Sequence, residues 1–201
     1  ASPQTVNGPL TIVGTYKTQY LVSFTQAGSA VAPTVTYTAN TDPTGTVPFT
    51  VWVKAGSDIS YDYQAIVPGA PGVQYVLTGV SPASPQTVNG PLTIVGTYKT
   101  QYQITFDSTG VLSDSDPNIV VTVNSVGKKL SELPFTAWYD VAPLAYEYSS
   151  PIADGPLKQY IWASTTGLRS AKGETFTPSS GGTITGNYRK QATVYATIQT
   201  D

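Results

Sequence analysis

The side chains in this sequence that could do chemistry are mainly carboxylates, because the chain contains no His, Cys or Met. Four oxygen-bearing residues lie close together: Asp107, Asp114, Asp116 and Asn118. The segment D-S-D-P-N places oxygen ligands at alternate positions, as loops that bind Ca²⁺ do, but it lacks the turn Gly and the downstream Glu of an EF-hand. A solvated loop rich in Asp and Asn is the better interpretation. We therefore predict no metal and no cofactor.

Catalysis by paired carboxylates would need two acids about 5–10 Å apart across a cleft. The candidates are Glu132, Asp140 and Glu147, and Glu147 corresponds to Asp62 in a repeated segment, on the polar face of a predicted strand. This pattern is typical of charges that face solvent. A Ser or Thr nucleophile would have only Lys as its base, because His is absent. The sequence predicts that the chain is not an enzyme.

The composition excludes further classes of protein. Of 201 residues only 11% are charged, the formal net charge is −2, and the 14 Tyr raise the aromatic fraction to 11%. Neither intrinsic disorder nor a nucleic-acid-binding surface fits these values. No apolar run approaches the roughly 18 residues that a membrane-spanning helix needs. A surface rich in Thr, Ser, Gln and Tyr favours an extracellular or cell-surface location.

An internal repeat organises the chain. Residues 1–20, ASPQTVNGPLTIVGTYKTQY, recur without a change at 83–102, so the repeat length is 82 residues. This length is far too long for a small solenoid repeat and suits a sandwich domain. We predict module 1 at 19–100 and module 2 at 101–201. They are preceded by residues 1–18, a donor-like strand segment that duplicates 83–100.

The strand pattern predicts an all-β fold. Apolar and polar residues alternate in segments such as 101–106, and Gly and Pro clusters separate these segments every 8 to 14 residues. In 49–54 and 135–140 both strand faces carry bulky side chains, which predicts that the Trp of each segment packs on a second layer or an adjoining loop. Gly14, Gly96 and Gly186 interrupt the same strand of the repeat, which predicts a bulge or a close backbone approach.

Several repeated motifs resemble a known family. The motifs [V/L]-P-F-T-x-W, Tyr-x-Tyr and T-I-x-G-x-Y-[K/R]-x-Q resemble the tandem immunoglobulin-like repeats of archaeal cell-surface proteins, a group that includes S-layer proteins, adhesins and subunits of extracellular threads or pili. The resemblance implies two tandem immunoglobulin-like β-sandwich modules, and the duplicated segment adds an extra N-terminal donor-type strand. The resemblance also implies eight core positions: Phe49, Trp52, Tyr61, Tyr63, Phe135, Trp138, Tyr146 and Tyr148.

The extra copy of the closing segment predicts self-assembly. A strand without a partner leaves a row of unpaired N–H and C=O groups, and a groove that accepts 90–102 accepts the identical 8–20 equally well. Donor-strand complementation would join chains head-to-tail into a homopolymer. The predicted assembly residues are Leu10, Ile12, Gly14, Tyr16 and Tyr20.

Two alternatives to a filament subunit remain open. In the first, the chain is a two-module fragment of a long surface adhesin array, and the position of the cut within the repeat is arbitrary. The sequence would also suit a module that binds carbohydrate or another surface, because Tyr and Trp side chains stack on sugar rings. The partners of that third class are cell-surface glycans or other surface proteins.

Overall fold

The computed structural model describes residues 8–9, 11, 13–39, 44–112 and 118–192. These residues form strands joined by turns, with one short 3-10 turn at Leu130–Glu132, which confirms the predicted all-β class. No helix within these ranges is long and apolar enough to cross a membrane. The strands are β1 (Gln19–Ala27), β2 (Thr34–Tyr37), β3 (Thr44–Thr46), β4 (Phe49–Lys54), β5 (Asp58–Ile59), β6 (Tyr61–Tyr63), β7 (Ile66–Pro68), β8 (Val73–Ser81), β9 (Gln86–Thr87), β10 (Leu92–Thr109), β11 (Ile119–Val123), β12 (Val126–Lys129), β13 (Phe135–Asp140), β14 (Leu144–Tyr148), β15 (Ile152–Ala153), β16 (Lys158–Gly167), β17 (Gly173–Phe176) and β18 (Gly182–Ala192).

Module 1 is a sandwich with its core between two sheets. One sheet runs β4-β1-β10-β8-β7, and the other runs β3-β2-β6. Alternation along each strand sends every second side chain inward, as Val22 and Phe24 of β1 and Tyr61 and Tyr63 of β6 show. These side chains meet in one buried cluster, and the ring of Phe24 stacks on that of Phe49 with 4.6 Å between centroids.

Module 2 repeats this arrangement with its own buried cluster. Its larger sheet runs β13-β10-β18-β16-β15, and the opposing sheet runs β12-β11-β14-β17. Ile104 and Phe106 take the places of Val22 and Phe24, and Tyr146 and Tyr148 take those of the β6 tyrosines. The described residues thus form two sandwiches in tandem, as the repeat predicts.

A single strand joins the two modules. Strand β10 is 18 residues long, and its first half pairs with β1 of module 1 while its second half pairs with β13 and β18 of module 2. The predicted boundary between residues 100 and 101 falls inside this strand. No flexible linker separates the modules at this point, so their larger sheets are one continuous nine-stranded sheet.

Polar contacts and two glycines reinforce this junction. Asp140 of β13 accepts hydrogen bonds from Lys99 Nζ at 2.8 Å and from Gln101 Nε2 at 2.7 Å, and these contacts hold the pKa of its carboxyl below the usual range. The backbone N–H of Gln103 donates to the carbonyl of Gly72 at 3.0 Å. A Cβ at Gly181 would lie 2.7 Å from that same carbonyl oxygen, so the modules touch backbone to backbone.

The structure corrects the predicted core position of both tryptophans. Phe49, Val51 and Val53 point inward from β4, so the alternation of the strand turns Trp52 to the outer face, where 58% of it is exposed. Trp138 of β13 is on the same outer face of module 2 and is 37% exposed. The bulky side chains on the outer faces of β4 and β13 are therefore partly exposed indoles and not core residues.

Candidate strand-docking site

The first half of β10 closes module 1, and we call residues 92–100 its closing strand. Residues Leu92 to Thr97 pair in parallel with Val22 to Ala27 of β1, which we call the opening strand, and on the other edge the closing strand pairs with β8. Ile94 and Tyr98 are buried, and Gly96 lies between them. The closing strand therefore fills a groove between two strands and presents apolar side chains to the core.

Tyr63 explains why this strand carries Gly96. A Cβ at Gly96 would lie 2.7 Å from Cε1 of Tyr63 and still nearer to Cδ1, so only Gly lets the buried ring lie flat against the backbone. The register with β8 shifts just beyond, between Thr97 and Tyr98, which is the bulge that the interrupted strand predicted. The Gly thus serves a close approach by an aromatic ring of the opposing sheet.

The hydroxyl of Tyr63 lies between the opening and closing strands. It is 2.9 Å from the carbonyl oxygen of Thr25 and 3.0 Å from that of Ile94, and it donates its hydrogen bond across the pair. Burial raises the pKa of Tyr63 to about 12, because the ionised phenolate would lose its hydration. Tyr63 therefore remains a neutral donor that links two strands to the other sheet.

Tyr98 holds the far end of the closing strand. Its hydroxyl donates to the carbonyl of Gln64 at 2.8 Å, and burial raises its pKa. Its own carbonyl oxygen lies against Gly28, whose φ of +84° and lack of a Cβ allow the contact. We call the set formed by the opening strand, Gly28, Tyr63 and Gln64 the acceptor groove of module 1.

Module 2 has the same groove with its own closing strand, β18. Residues Gly182 to Asn187 pair in parallel with Ile104 to Thr109 of β10. A Cβ at Gly186 would lie 2.5 Å from Cδ1 of Tyr148, and the Tyr148 hydroxyl is 2.8 Å from the carbonyl of Asp107 and 2.7 Å from that of Ile184. Tyr188 donates to the carbonyl of Ser149 at 2.9 Å, as Tyr98 does to that of Gln64. Two divergent sequences thus build one docking geometry.

The N-terminal copy of the closing segment has the opposite environment. Residues 13–18 are not assigned to a strand, Val13 is 81% exposed and Tyr16 is 94% exposed, whereas Tyr98 at the equivalent position is 5% exposed. Gly14 is exposed as well, and the nearest atoms that a Cβ there would meet belong to the ring of Tyr16. Leu10 and Ile12, the other predicted assembly residues, lie outside the described residues.

One predicted assembly residue belongs elsewhere. Tyr20 lies in β1, pairs with Val53 of β4 and packs against the core of module 1. It is therefore part of the opening strand, and the exposed segment ends at Thr18. The equivalent Tyr102 likewise packs in module 2, because each copy of the repeat closes one module with its first part and opens the next with its last residues.

Both described grooves are occupied by the chain's own strands. A strand tethered to its groove competes at an effective concentration of about 1 mM, well above that of a free neighbour. Residues 92–100 therefore outcompete the identical N-terminal segment of another chain for module 1. Residues 8–18 can therefore enter a groove of another chain only where that groove's own closing strand has left it.

The carboxylates considered for chemistry are spread over the surface. Asp114 and Asp116 lie outside the described residues, and the side-chain amide of Asn118 donates to the carbonyl of Ala153 at 2.7 Å. Glu147 faces solvent and lies 3.4 Å from Lys172 Nζ. Within the described ranges no group of three or more acidic residues is close enough to hold a metal ion.

Sequence reasoning placed Tyr61, Tyr63, Tyr146 and Tyr148 in the cores, where the structure has them, but missed what the second Tyr of each pair does. The sequence did carry a signal for this role. In each module the Tyr-x-Tyr pair is followed by one T-I-x-G-x-Y motif, and the Gly of that motif contacts the second Tyr. Phe49 and Phe135 are only partly buried and pack on the edges of the clusters.

Comparison with known proteins does not assign this chain to a family. No protein-family model matches the chain, and no curated protein does. Among solved structures it is similar to the Streptococcal High Identity Repeats in Tandem (SHIRT) domains 3–4 of a cell-surface protein, at 12% identity, over 87% of this chain and 99% of that one, with a TM-score of 0.25. A score this low carries no argument about function.

Proposed function

We propose that the chain is a structural, non-enzymatic unit of an extracellular filament or surface layer, in which residues 8–18 close a neighbouring module. The observation that carries this proposal is that two identical copies of the closing segment lie in different environments. The copy at 90–100 is buried in a groove, and the copy at 13–18 is exposed although it contains the same Val, Gly and Tyr. The resemblance to archaeal surface repeats supports the extracellular location.

The proposed contact between subunits has the same geometry as the contact between the two modules of one chain, which share strand β10. If residues 8–18 of one chain occupy the place of β18 in module 2 of the next chain, residues 8–27 form a continuous strand between subunits, as β10 does between modules. This contact uses different surfaces on the two partners, so it does not close by two-fold symmetry and it propagates head-to-tail. Backbone ladder bonds and the buried Ile and Tyr side chains supply the affinity.

Opening one groove tests this proposal. In Gly186→Val the chain's own closing strand no longer fits under Tyr148, while the exposed segment keeps its Gly14. We expect this variant to polymerise, because each N-terminal segment closes module 2 of another chain. Electron microscopy should show filaments, and sedimentation velocity should show larger species than the wild-type chain forms at the same concentration, because the wild-type groove is still filled by β18.

The control adds one substitution at the exposed copy. In Gly14→Val with Gly186→Val the donor strand is blocked by the same clash, so we expect unfolding of module 2 without filaments. Thr15→Val with Gly186→Val should still polymerise, because the equivalent Thr97 is exposed in the groove. Identical behaviour of the Gly186→Val variant with and without Gly14→Val would refute strand donation and leave the array fragment.

A second function, binding of surface glycans, has one observation in its favour. Trp52 and Trp138 are exposed at equivalent positions of the two modules, and Trp138 lines an open depression with Asn124 and Asp140. An indole face beside amide and carboxylate groups is a common arrangement for sugar rings.

A glycan array with the wild-type chain and Trp138→Ala tests this second function. If sugars bind at the depression, the substitution should abolish the signal, because stacking supplies most of the contact. Trp52→Ala is the matched variant from module 1, and it should retain any signal that arises in module 2. Absence of binding by the wild-type chain would remove this function.

A further inference from the structure

The first and last strands of each module lie side by side and run in the same direction. In module 1 six residue pairs join the opening and closing strands in parallel, from Val22 with Leu92 to Ala27 with Thr97. In module 2 six pairs join Ile104 with Gly182 through Thr109 with Asn187 in the same way. The strands by which the chain enters and leaves each module are therefore direct hydrogen-bonding neighbours.

Tension along the chain acts on these two strands in opposite directions. It pulls β1 toward its N-terminal end at Gln19 and pulls the closing strand toward its C-terminal end at Thr100. Because the strands are parallel, this load slides one past the other, and all the evenly spaced ladder bonds must yield together. Because β10 continues into module 2 without a linker, the same load passes directly to the next strand pair.

A buried Tyr hydroxyl bridges each sheared pair. Tyr63 lies between the carbonyls of Thr25 and Ile94, and Tyr148 lies between those of Asp107 and Ile184. Both rings are anchored in the opposing sheet and lie flat on Gly96 and Gly186. If the closing strand slid by one residue, a side chain would replace the Gly under the Tyr ring and clash with it. The hydroxyl would also lose its hydrogen bond to the strand pair. Each Tyr and Gly pair therefore opposes slippage in two ways.

From this geometry we infer that each module is a mechanical clamp, which carries tension along the chain by shear of its parallel strand pair, with Tyr63 and Tyr148 as the latches. This inference follows from strand direction and does not depend on strand donation between chains. If donation occurs, the joint between subunits is loaded in the same way.

Single-molecule pulling between two introduced thiols tests the clamp, because the chain has no Cys of its own. Thr18→Cys with Thr100→Cys loads module 1 in shear. Ala30→Cys with Thr100→Cys pulls the same two strands apart from one end, so the bonds break one after another. We expect the rupture force to be about twofold or more higher in shear, and equal forces would overturn the inference.

The latch is tested by two matched substitutions. Tyr63→Phe removes the hydroxyl that bridges the strand pair, and Tyr61→Phe removes a neighbouring hydroxyl that donates to the carbonyl of Pro82 at 2.7 Å. With the thiols at positions 18 and 100, we expect only Tyr63→Phe to lower the shear force of module 1. If the two variants rupture at the same shear force, Tyr63 is not a latch, whatever both do to equilibrium stability.

Discussion

Replacing Gly96 by Val should unfold module 1 at temperatures where the wild-type chain is folded. Val has a higher strand propensity than Gly, so propensity alone would predict that the substitution stabilises the strand. The clash decides it, because the new Cβ would fall inside the contact distance of the Tyr63 ring, which is buried and held by its hydroxyl. We expect a loss of about 3 kcal/mol in the free energy of unfolding, or roughly 12–24 °C in melting temperature.

The identical substitution at the other copy is the control. In Gly14→Val the nearest atom to the new Cβ lies 3.4 Å away in the ring of Tyr16, and that ring is exposed and can turn away. Differential scanning calorimetry of dilute samples should show an unchanged first module for Gly14→Val and a lowered transition for Gly96→Val. Equal shifts for both would mean that the fit under Tyr63 is not what selects Gly.

The second large effect is expected at alkaline pH. Burial raises the pKa of Tyr63 and of Tyr146 to about 12, and it raises that of Tyr148 and Tyr188 in the same direction, from an ordinary value of 10.0. The unfolded chain releases these protons first, so the stability that they contribute is complete below pH 10 and is lost as the pH rises toward 12. Acid-side changes should be smaller, because ion pairs such as Asp140 with Lys99 and Glu132 with Lys128 lie partly exposed at the surface, where a pair contributes little to stability.

Denaturant titrations between pH 8 and pH 12 measure this loss. The free energy of unfolding should be level to about pH 10 and then fall steeply, and tyrosinate absorbance from the buried rings should appear together with the loss of near-ultraviolet circular dichroism. Tyr63→Phe removes one of the titrating hydroxyls. The free energy of unfolding of this variant should therefore fall less steeply with pH, by about 1.4 kcal/mol per pH unit. Stability that stays level through pH 12 would contradict the assignment of these rings as buried donors.

Much of this fold is predictable from the sequence. Its strongest signals are the alternation of polar and apolar residues along single strands and a repeat that is identical in both copies. Alternation predicted the inward faces of 101–106 in β10, of β2 and of β6, and an uninterrupted 20-residue repeat indicated where one module gives way to the next. The same repeat predicts that the exposed segment can act as a closing strand, since its other copy closes module 1.

The remaining features depend on which strands meet, and the sequence pattern does not contain that information. Whether the outer face of β4 is covered depends on the rest of the molecule, so Trp52 was misplaced although its alternation was visible. The bridge from Tyr63 to Thr25 and Ile94 joins residues 38 and 31 positions apart. Pairing at such separations follows from the arrangement of two sheets, not from any single strand.

The strand shared by two modules also affects how such a chain changes in length during evolution. Recombination between the coding sequences of residues 1–20 and 83–102 adds or removes one 82-residue unit in frame, wherever in the shared segment the exchange occurs. The join falls in a segment that, in the copy at 83–102, ends one sandwich and begins the next. Copies can therefore be gained or lost without a new interface, and the number of modules is free to vary while every junction keeps its geometry.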